Sequence, residues 1–181
     1  LLLSDVVKEC TKSNKISILS GPCFSSEVAQ NLPTAVTFAS SNKNSFENIN
    51  NLFKNKNFRI YYSEDLIGCQ VGGALKNIYA IASGITLGLN LGENAKSALI
   101  TRSFVEIVRF GKFLGANQQT IFGLSGLGDL ILNCNSITSR NTKFGQTLSS
   151  TTSPNIERIL KSQEVTEGYF TVKAVKKIAS E

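Results

Sequence analysis

The hydrophobic pattern of this chain changes period once, near residue 65, and that change limits the folds open to it. Before it, short β-rich runs alternate with helix-like segments: residues 16–19, 34–39 and 58–62 read as strands, and 2–10 and 45–53 as helices. After it the strand runs stop. Ser63, Glu64 and Asp65 supply a helix start, and helices are expected over 66–83, from Asn94 as N-cap to Gly115 just past the end, and over 129–133, 140–148, 154–162 and 170–178. Ile100, Phe104, Ile107, Gly111 and Leu114 form the apolar stripe of the longest one. The expectation is an α/β remnant over 1–64 followed by an all-α domain over 65–181. Three strands with helical crossovers are too few for a covered parallel sheet, so the rest of that sheet is expected upstream. A chain that contains no Met and opens on Leu1-Leu2-Leu3 likewise reads as a fragment.

Composition narrows the chemistry. The 181 residues fall within the ~100–200 of one domain, and 41% apolar with 18% charged excludes a disordered or collagen-like chain. There is no His, which removes imidazole bases, His metal sites and His pH switches. Proton transfer must then come from Lys, Asp, Glu, Tyr or Cys. Cys10, Cys23, Cys69 and Cys134 form no C-x-x-C pair, so reduced, mostly packed thiols of a cytosolic protein are expected, without zinc. Residues 66–92 carry one charge, Lys76, but Gln70, Asn77, Asn90 and several glycines disqualify them as a membrane span. The opening leucines lack the charged flank of a signal peptide. A net charge of +6 raises the question of phosphate-bearing partners, yet the lysines are scattered without an aromatic-interleaved stripe, so no nucleic-acid partner is expected.

Five segments carry candidate chemistry, the least explicit being Val165-Thr-Glu-Gly-Tyr169, where Glu167 alone reads as a surface carboxylate. In Val71-Gly-Gly-Ala-Leu-Lys-Asn77, helical spacing puts Gly72, Gly73, Lys76, Tyr79, Ala80 and Ser83 on one side, so Lys76 projects from a face of small residues with room for a ligand beside its ammonium. A snorkelling lysine at a helix end is the plainer alternative. Gly123-Leu-Ser-Gly-Leu-Gly-Asp129 lacks the G-x-G-x-x-G order of a dinucleotide loop; it reads as a tight turn aiming Asp129 into a site, as partner to Lys76, or as a plain helix cap. Ser139-Arg140-Asn141 offers a natural N-cap, free helix-start N–H groups and a guanidinium fork, a set suited to phosphate. Ser20-Gly-Pro-Cys-Phe-Ser-Ser-Glu27 follows a strand, and its turn lets backbone amides approach a ligand.

Together and in this order, the blocks 19–28, Pro33-Thr-Ala35, Gly72-Gly-Ala-Leu-Lys-Asn77, Gly92 to Arg102, Gly126-Leu-Gly-Asp-Leu130, Ser139-Arg-Asn141 and Glu167-Gly-Tyr169 resemble bacterial-type NAD(P)-dependent glycerol-3-phosphate dehydrogenase. The resemblance covers nearly the whole chain. It implies an α/β remnant of a Rossmann sheet followed by an all-α substrate domain, NAD or NADP as cofactor, glycerol 3-phosphate and dihydroxyacetone phosphate as substrates, a cytoplasmic location, a role in phospholipid synthesis and a homodimer. It further implies that Lys76 is the catalytic proton acceptor, and that Gly21, Cys23, Lys76, Asp129, Ser139, Arg140 and Asn141 contact substrate. Ser25, Arg140, Val165 and Glu167 fall at cofactor-contacting positions. Cys23 stands where the family usually has Ser or Thr, and Ser25 where it has Ala, so a side-chain hydroxyl contact at Cys23 is not carried over.

Two other readings stay open: a different Rossmann-plus-helical dehydrogenase of a hydroxy acid or sugar phosphate, and a non-catalytic basic module that binds phosphate or nucleic acid. The glycine-rich pyrophosphate loop of a dinucleotide site has no counterpart in these residues. The 181-residue chain by itself is therefore expected to show no turnover of dihydroxyacetone phosphate with NADH or NADPH. A spectrophotometric assay of cofactor oxidation checks this, and measurable turnover would refute the need for an upstream half.

Overall fold

A computed structural model describes residues 2–53, 55–150, 154, 156–162 and 166–180. Strands give way to helices where the hydrophobic period changes. In chain order the elements are α1 (Leu3–Thr11), β1 (Ser17–Ser20), α2 (Ser25–Ala29), β2 (Thr34–Ser40), α3 (Lys43–Phe53), β3 (Phe58–Ser63), α4 (Leu66–Gly88), α5 (Gly92–Phe113), α6 (Gln118–Phe122), a π-helical turn (Leu124–Gly128), α7 (Asp129–Asn135), α8 (Arg140–Ser149), α9 (Ile156–Ser162) and α10 (Glu167–Ala179).

The three strands form one sheet in the order β1-β2-β3. β2 and β3 are parallel, with Thr34 opposite Phe58 and Ala39 opposite Ser63, and α3 makes the crossover. The expected parallel crossover does not hold for β1, which runs antiparallel to β2 with Ser17 opposite Ser40. The eleven-residue α3 runs alongside the strands it joins and can carry a parallel crossover, whereas between β1 and β2 only the five residues of α2 are helical. β2, the central strand, carries the core of the sheet: Val36, Phe38 and Ala39 are buried. On it α3 lays Phe46, whose ring lies 6.2 Å from Phe38 and 5.2 Å from Tyr62.

Two compact units divide the chain, Leu1–Gly73 with Ile107–Asp129, and Ala74–Glu106 with Leu130–Glu181. The first unit holds the sheet. Within it the Asp65 carboxylate caps α4 through Gly68 N–H at 2.8 Å and accepts Asn117 N–H at 2.8 Å, tying the helix start to the segment before α6. α6 and the π-helical turn were not legible as elements in the sequence. Asn94 does not cap α5, which begins at Gly92. The turn out of α4 places Asn90 at φ 54 and Gly92 at φ 84, so the chain reverses before Asn94 and leaves it inside the first helical turn.

In the second unit α4 and α8 meet backbone to backbone. A Cβ at Gly84 would overlap the Thr142 carbonyl, and one at Gly145 the Ile81 carbonyl. Ala80, Ser83 and Phe144 are fully buried. Gly84→Ala and Gly145→Ala should therefore each destabilise the protein by ~1–3 kcal/mol, the cost of overpacking a tight contact, read as a lowered midpoint in chemical denaturation.

The thiols divide evenly. Cys69 and Cys134 are buried, Cys10 and Cys23 exposed. Burial pushes the Cys134 thiol up from 9.0 to about 12, with the Lys96 charge acting in the opposite sense. Its contribution to stability is thus complete below pH 9 and is lost as the pH rises towards 12, because only the unfolded thiol ionises in that window. Ellman's reagent at pH 8 should find two fast thiols in the folded chain and all four after denaturation.

Candidate active site

Lys76 lies on α4 in the second unit and is half-buried. The expected hollow of small residues around it is only partly realised: Ala80 and Ser83 are buried, and Gly84 is closed off by α8 backbone. Small residues here serve close helix contact. Tyr79, one turn on from Lys76, donates its hydroxyl to Glu106 Oε2 at 2.9 Å. Burial, with this carboxylate adding to it, pushes the phenol far above its ordinary value.

The residue after Lys76, which the spacing argument does not single out, joins the candidate site through its hydrogen bonds. Asn77 is buried, and its Nδ2 donates to Glu167 Oε2 at 3.0 Å while its Oδ1 accepts from Asn141 Nδ2 at 3.0 Å. Asn141 Oδ1 in turn accepts the Gly168 N–H at 2.9 Å. Arg140 reaches the other oxygen of Glu167 at 3.5 Å, with both side chains about half exposed. Helices α4, α8 and α10 are thereby joined through polar side chains, with Asn77 and Asn141 buried.

Ser139 caps α8 as its sequence position indicates. It takes the β conformation at φ −63, ψ 120, its hydroxyl accepts the Thr142 N–H, and it donates to Asn133 Oδ1 at 3.2 Å. Thr142 Oγ1 donates to the Asn133 carbonyl at 2.7 Å. This fixes the start of α8, where the first N–H groups face outward along the helix axis and Arg140 and Asn141 follow directly.

The remaining site residues belong to the first unit. Gly21, at φ 149, lies where a Cβ would meet the Val36 backbone at 3.1 Å, so the turn after β1 requires glycine. Cys23 and Ser25 are exposed and, with Leu19, Val28 and Leu32, line a cavity of about 940 Å³. The glycine-rich cluster folds as the π-helical turn: Gly72 lies against the Ser125 carbonyl, Gly126 against the Ile121 carbonyl, and Gly128 packs beside Pro22. It ends on Asp129, which is buried at the start of α7. The structure thus gathers Lys76, Ser139, Arg140, Asn141 and Glu167 in one unit, and Gly21, Cys23, Ser25 and Asp129 in the other. Val165 lies outside the described residues. Among the described residues, no three Cys, Asp or Glu side chains come together in a way that could hold a metal ion, and no helix is long and apolar enough to cross a membrane.

Comparison with known proteins returns one family throughout. Residues 65–181 match the family model for the NAD-dependent glycerol-3-phosphate dehydrogenase C-terminus, and residues 1–46 match the model for its N-terminus. A protein of Francisella tularensis subsp. tularensis (strain WY96-3418) named glycerol-3-phosphate dehydrogenase [NAD(P)+] is 47% identical over 179 residues, 98% of this chain and 53% of that protein. One of the same name from Erythrobacter litoralis (strain HTCC2594) is 50% identical over 147 residues, 81% of this chain and 44% of that protein. The crystal structure of glycerol-3-phosphate dehydrogenase from Coxiella burnetii superposes with a TM-score of 0.94 at 38% identity, covering 99% of this chain and 55% of that one. The chain spans about half the length of the curated relatives it matches. With a family model covering residues 65–181, more than half of its length, it belongs to the NAD-dependent glycerol-3-phosphate dehydrogenase family.

Proposed function

We propose that this chain supplies the proton-transfer and phosphate-gripping half of an enzyme that interconverts sn-glycerol 3-phosphate and dihydroxyacetone phosphate with NAD or NADP. The observation that carries the reading is the side-chain chain from Asn77 through Asn141 to the start of α10. It joins the helix of Lys76 to the capped helix start that bears Arg140.

The chemistry divides among these groups. A ketone at C2 that gains a hydride becomes an alkoxide and needs a proton; Lys76 is the half-buried ammonium placed to give it, and in the reverse direction to accept it. The phosphate end, remote from the reacting carbon, is an anion to be fixed. The N–H groups at the start of α8 and the Arg140 guanidinium are donors of the right kind, and their grip orients C2 without altering its chemistry. Hydride chemistry belongs to the nicotinamide dinucleotide when bound. The exposed polar side chains of Arg140 and Glu167 suit the outer parts of such a molecule, a cation for phosphate and a carboxylate that can accept from a ribose hydroxyl, and Ser25 as a cofactor contact is proposed on the family resemblance. Gly21, Cys23 and Asp129 as substrate contacts, and Val165 as a cofactor contact, are proposed on the family resemblance.

The finer proposals follow from this activity. Glycerol 3-phosphate is a precursor for glycerophospholipids, the thiols and composition suit the cytoplasm, and a homodimer is proposed on the family resemblance. In a full-length protein containing this chain, Lys76→Met should lower kcat for dihydroxyacetone phosphate by ~10²–10⁴-fold, the usual worth of a positioned general acid, while Arg140→Ala should mainly raise KM for that substrate. Steady-state kinetics with both cofactors, set beside a phosphate-free hydroxy acid, make the test. Better turnover of the phosphate-free compound would sink the reading.

A further inference from the structure

Asn133, on the last turn of α7, is buried and takes a hydrogen bond from each end of the first turn of α8. Its Oδ1 accepts the Ser139 hydroxyl at 3.2 Å, and its main-chain carbonyl accepts the Thr142 hydroxyl at 2.7 Å. Both hydroxyl residues are buried as well. Between them in sequence stand Arg140 and Asn141, so a single residue of α7 brackets the pair on which the phosphate reading depends.

The bracket has a fixed support. Next to Asn133, the Cys134 carbonyl accepts Ser83 Oγ from α4 at 2.7 Å, with both residues fully buried. The loop from α7 to α8 does not need the Asn133 side chain to close it. Ser139 N–H already donates to the Ser136 carbonyl at 3.2 Å, and Thr138 N–H to Ser136 Oγ at 3.1 Å. What the Asn133 amide adds is a direction for the Ser139 hydroxyl, which has one proton and two lone pairs. With the proton given to Asn133 Oδ1, the oxygen keeps a lone pair for the Thr142 N–H, and that bond is the N-cap of α8. An apolar residue at 133 would leave a buried hydroxyl proton without its acceptor. The hydroxyl would then rotate to find another, and the cap that sets Arg140 and Asn141 would loosen.

We infer that the Asn133 side chain is a positioning residue for substrate phosphate: by taking the Ser139 proton it holds the cap of α8, and through the cap it sets Arg140 and Asn141. The inference rests on the phosphate reading of the α8 start. Because the effect passes through one hydroxyl, a double-mutant cycle tests it in a full-length protein containing this chain, with Asn133→Leu, Ser139→Ala and both together. Asn133→Leu should raise KM for dihydroxyacetone phosphate and the inhibition constant of inorganic phosphate by about tenfold, with kcat and the cofactor KM changed less than about twofold. In the Ser139→Ala background, where there is no hydroxyl to direct, the same substitution should change all of these values less than about twofold. Should the Leu variant not fold, Asn133→Ala read in the same cycle decides. An active wild type whose Asn133→Leu variant keeps its KM, or loses the same factor with and without the Ser139 hydroxyl, overturns the role given to Asn133 alone. A wild type that does not turn over the phosphorylated substrate overturns the functional reading and this inference together.

Discussion

Two short amides, Asn77 and Asn141, meet in a buried position of the second unit, and the arrangement of its polar side chains depends on that contact. A buried amide left unpaired costs about 1–3 kcal/mol, so each must find partners of the right sense. Donation runs one way: Gly168 N–H to Asn141, Asn141 to Asn77, and Asn77 to Glu167. Glu167 and Gly168 are consecutive at the start of α10, so the series closes into a ring that begins and ends on one helical turn. Bonds aligned head to tail polarise one another, and this series ends on a carboxylate, the strongest acceptor available. Carboxylates are also favoured in the first turn of a helix, where Glu167 stands.

Reach makes this ring a consequence of the glycines. An Asn side chain extends only two bonds beyond Cβ, so the helices that carry the pair must run unusually close. Gly84 and Gly145 permit that on the α4–α8 side, and Gly168, which a Cβ would drive into the Asn77 carbonyl at 2.5 Å, permits it at α10. Larger residues at these positions would separate the helices by more than two short amides can bridge. Backbone packing and polar chemistry are therefore one design here, and Gly84, Gly145 and Gly168 serve it.

The distinction explains what was legible in the sequence. Local signals carried through: the strand runs at β1, β2 and β3, the Ser139 cap and the extent of α8 all depend on residues within a turn of one another. Features set by distant partners did not. Asn77 looks like any polar neighbour of Lys76 until Asn141 and Glu167, 64 and 90 residues away in sequence, are placed against it. The β1–β2 direction is a matter of which strand edges pair, and the start of α5 depends on a left-handed residue at Asn90, neither of which a hydrophobic period encodes. The face of Gly72 and Ala80 likewise has the spacing of a ligand hollow and of a close helix crossing alike.

The ring also bears on how Arg140 can serve a phosphate. Its ion pair with Glu167 is 3.5 Å long and half exposed on both sides, a class worth roughly 0–1 kcal/mol. If Glu167 depended on Arg140, turning the guanidinium to a substrate would leave a carboxylate wanting a partner, and binding would have to offset that loss. Glu167 instead keeps its bond from Asn77 at 3.0 Å and its place at a helix start. Exchange of the weak pair for a charge-assisted, bidentate contact with a dianion is then favourable on both counts. On the proposed reading of the α8 start, the buried amides hold the carboxylate so that the guanidinium is able to turn to substrate, and a site with the same charges but no Asn77 would bind phosphate less tightly.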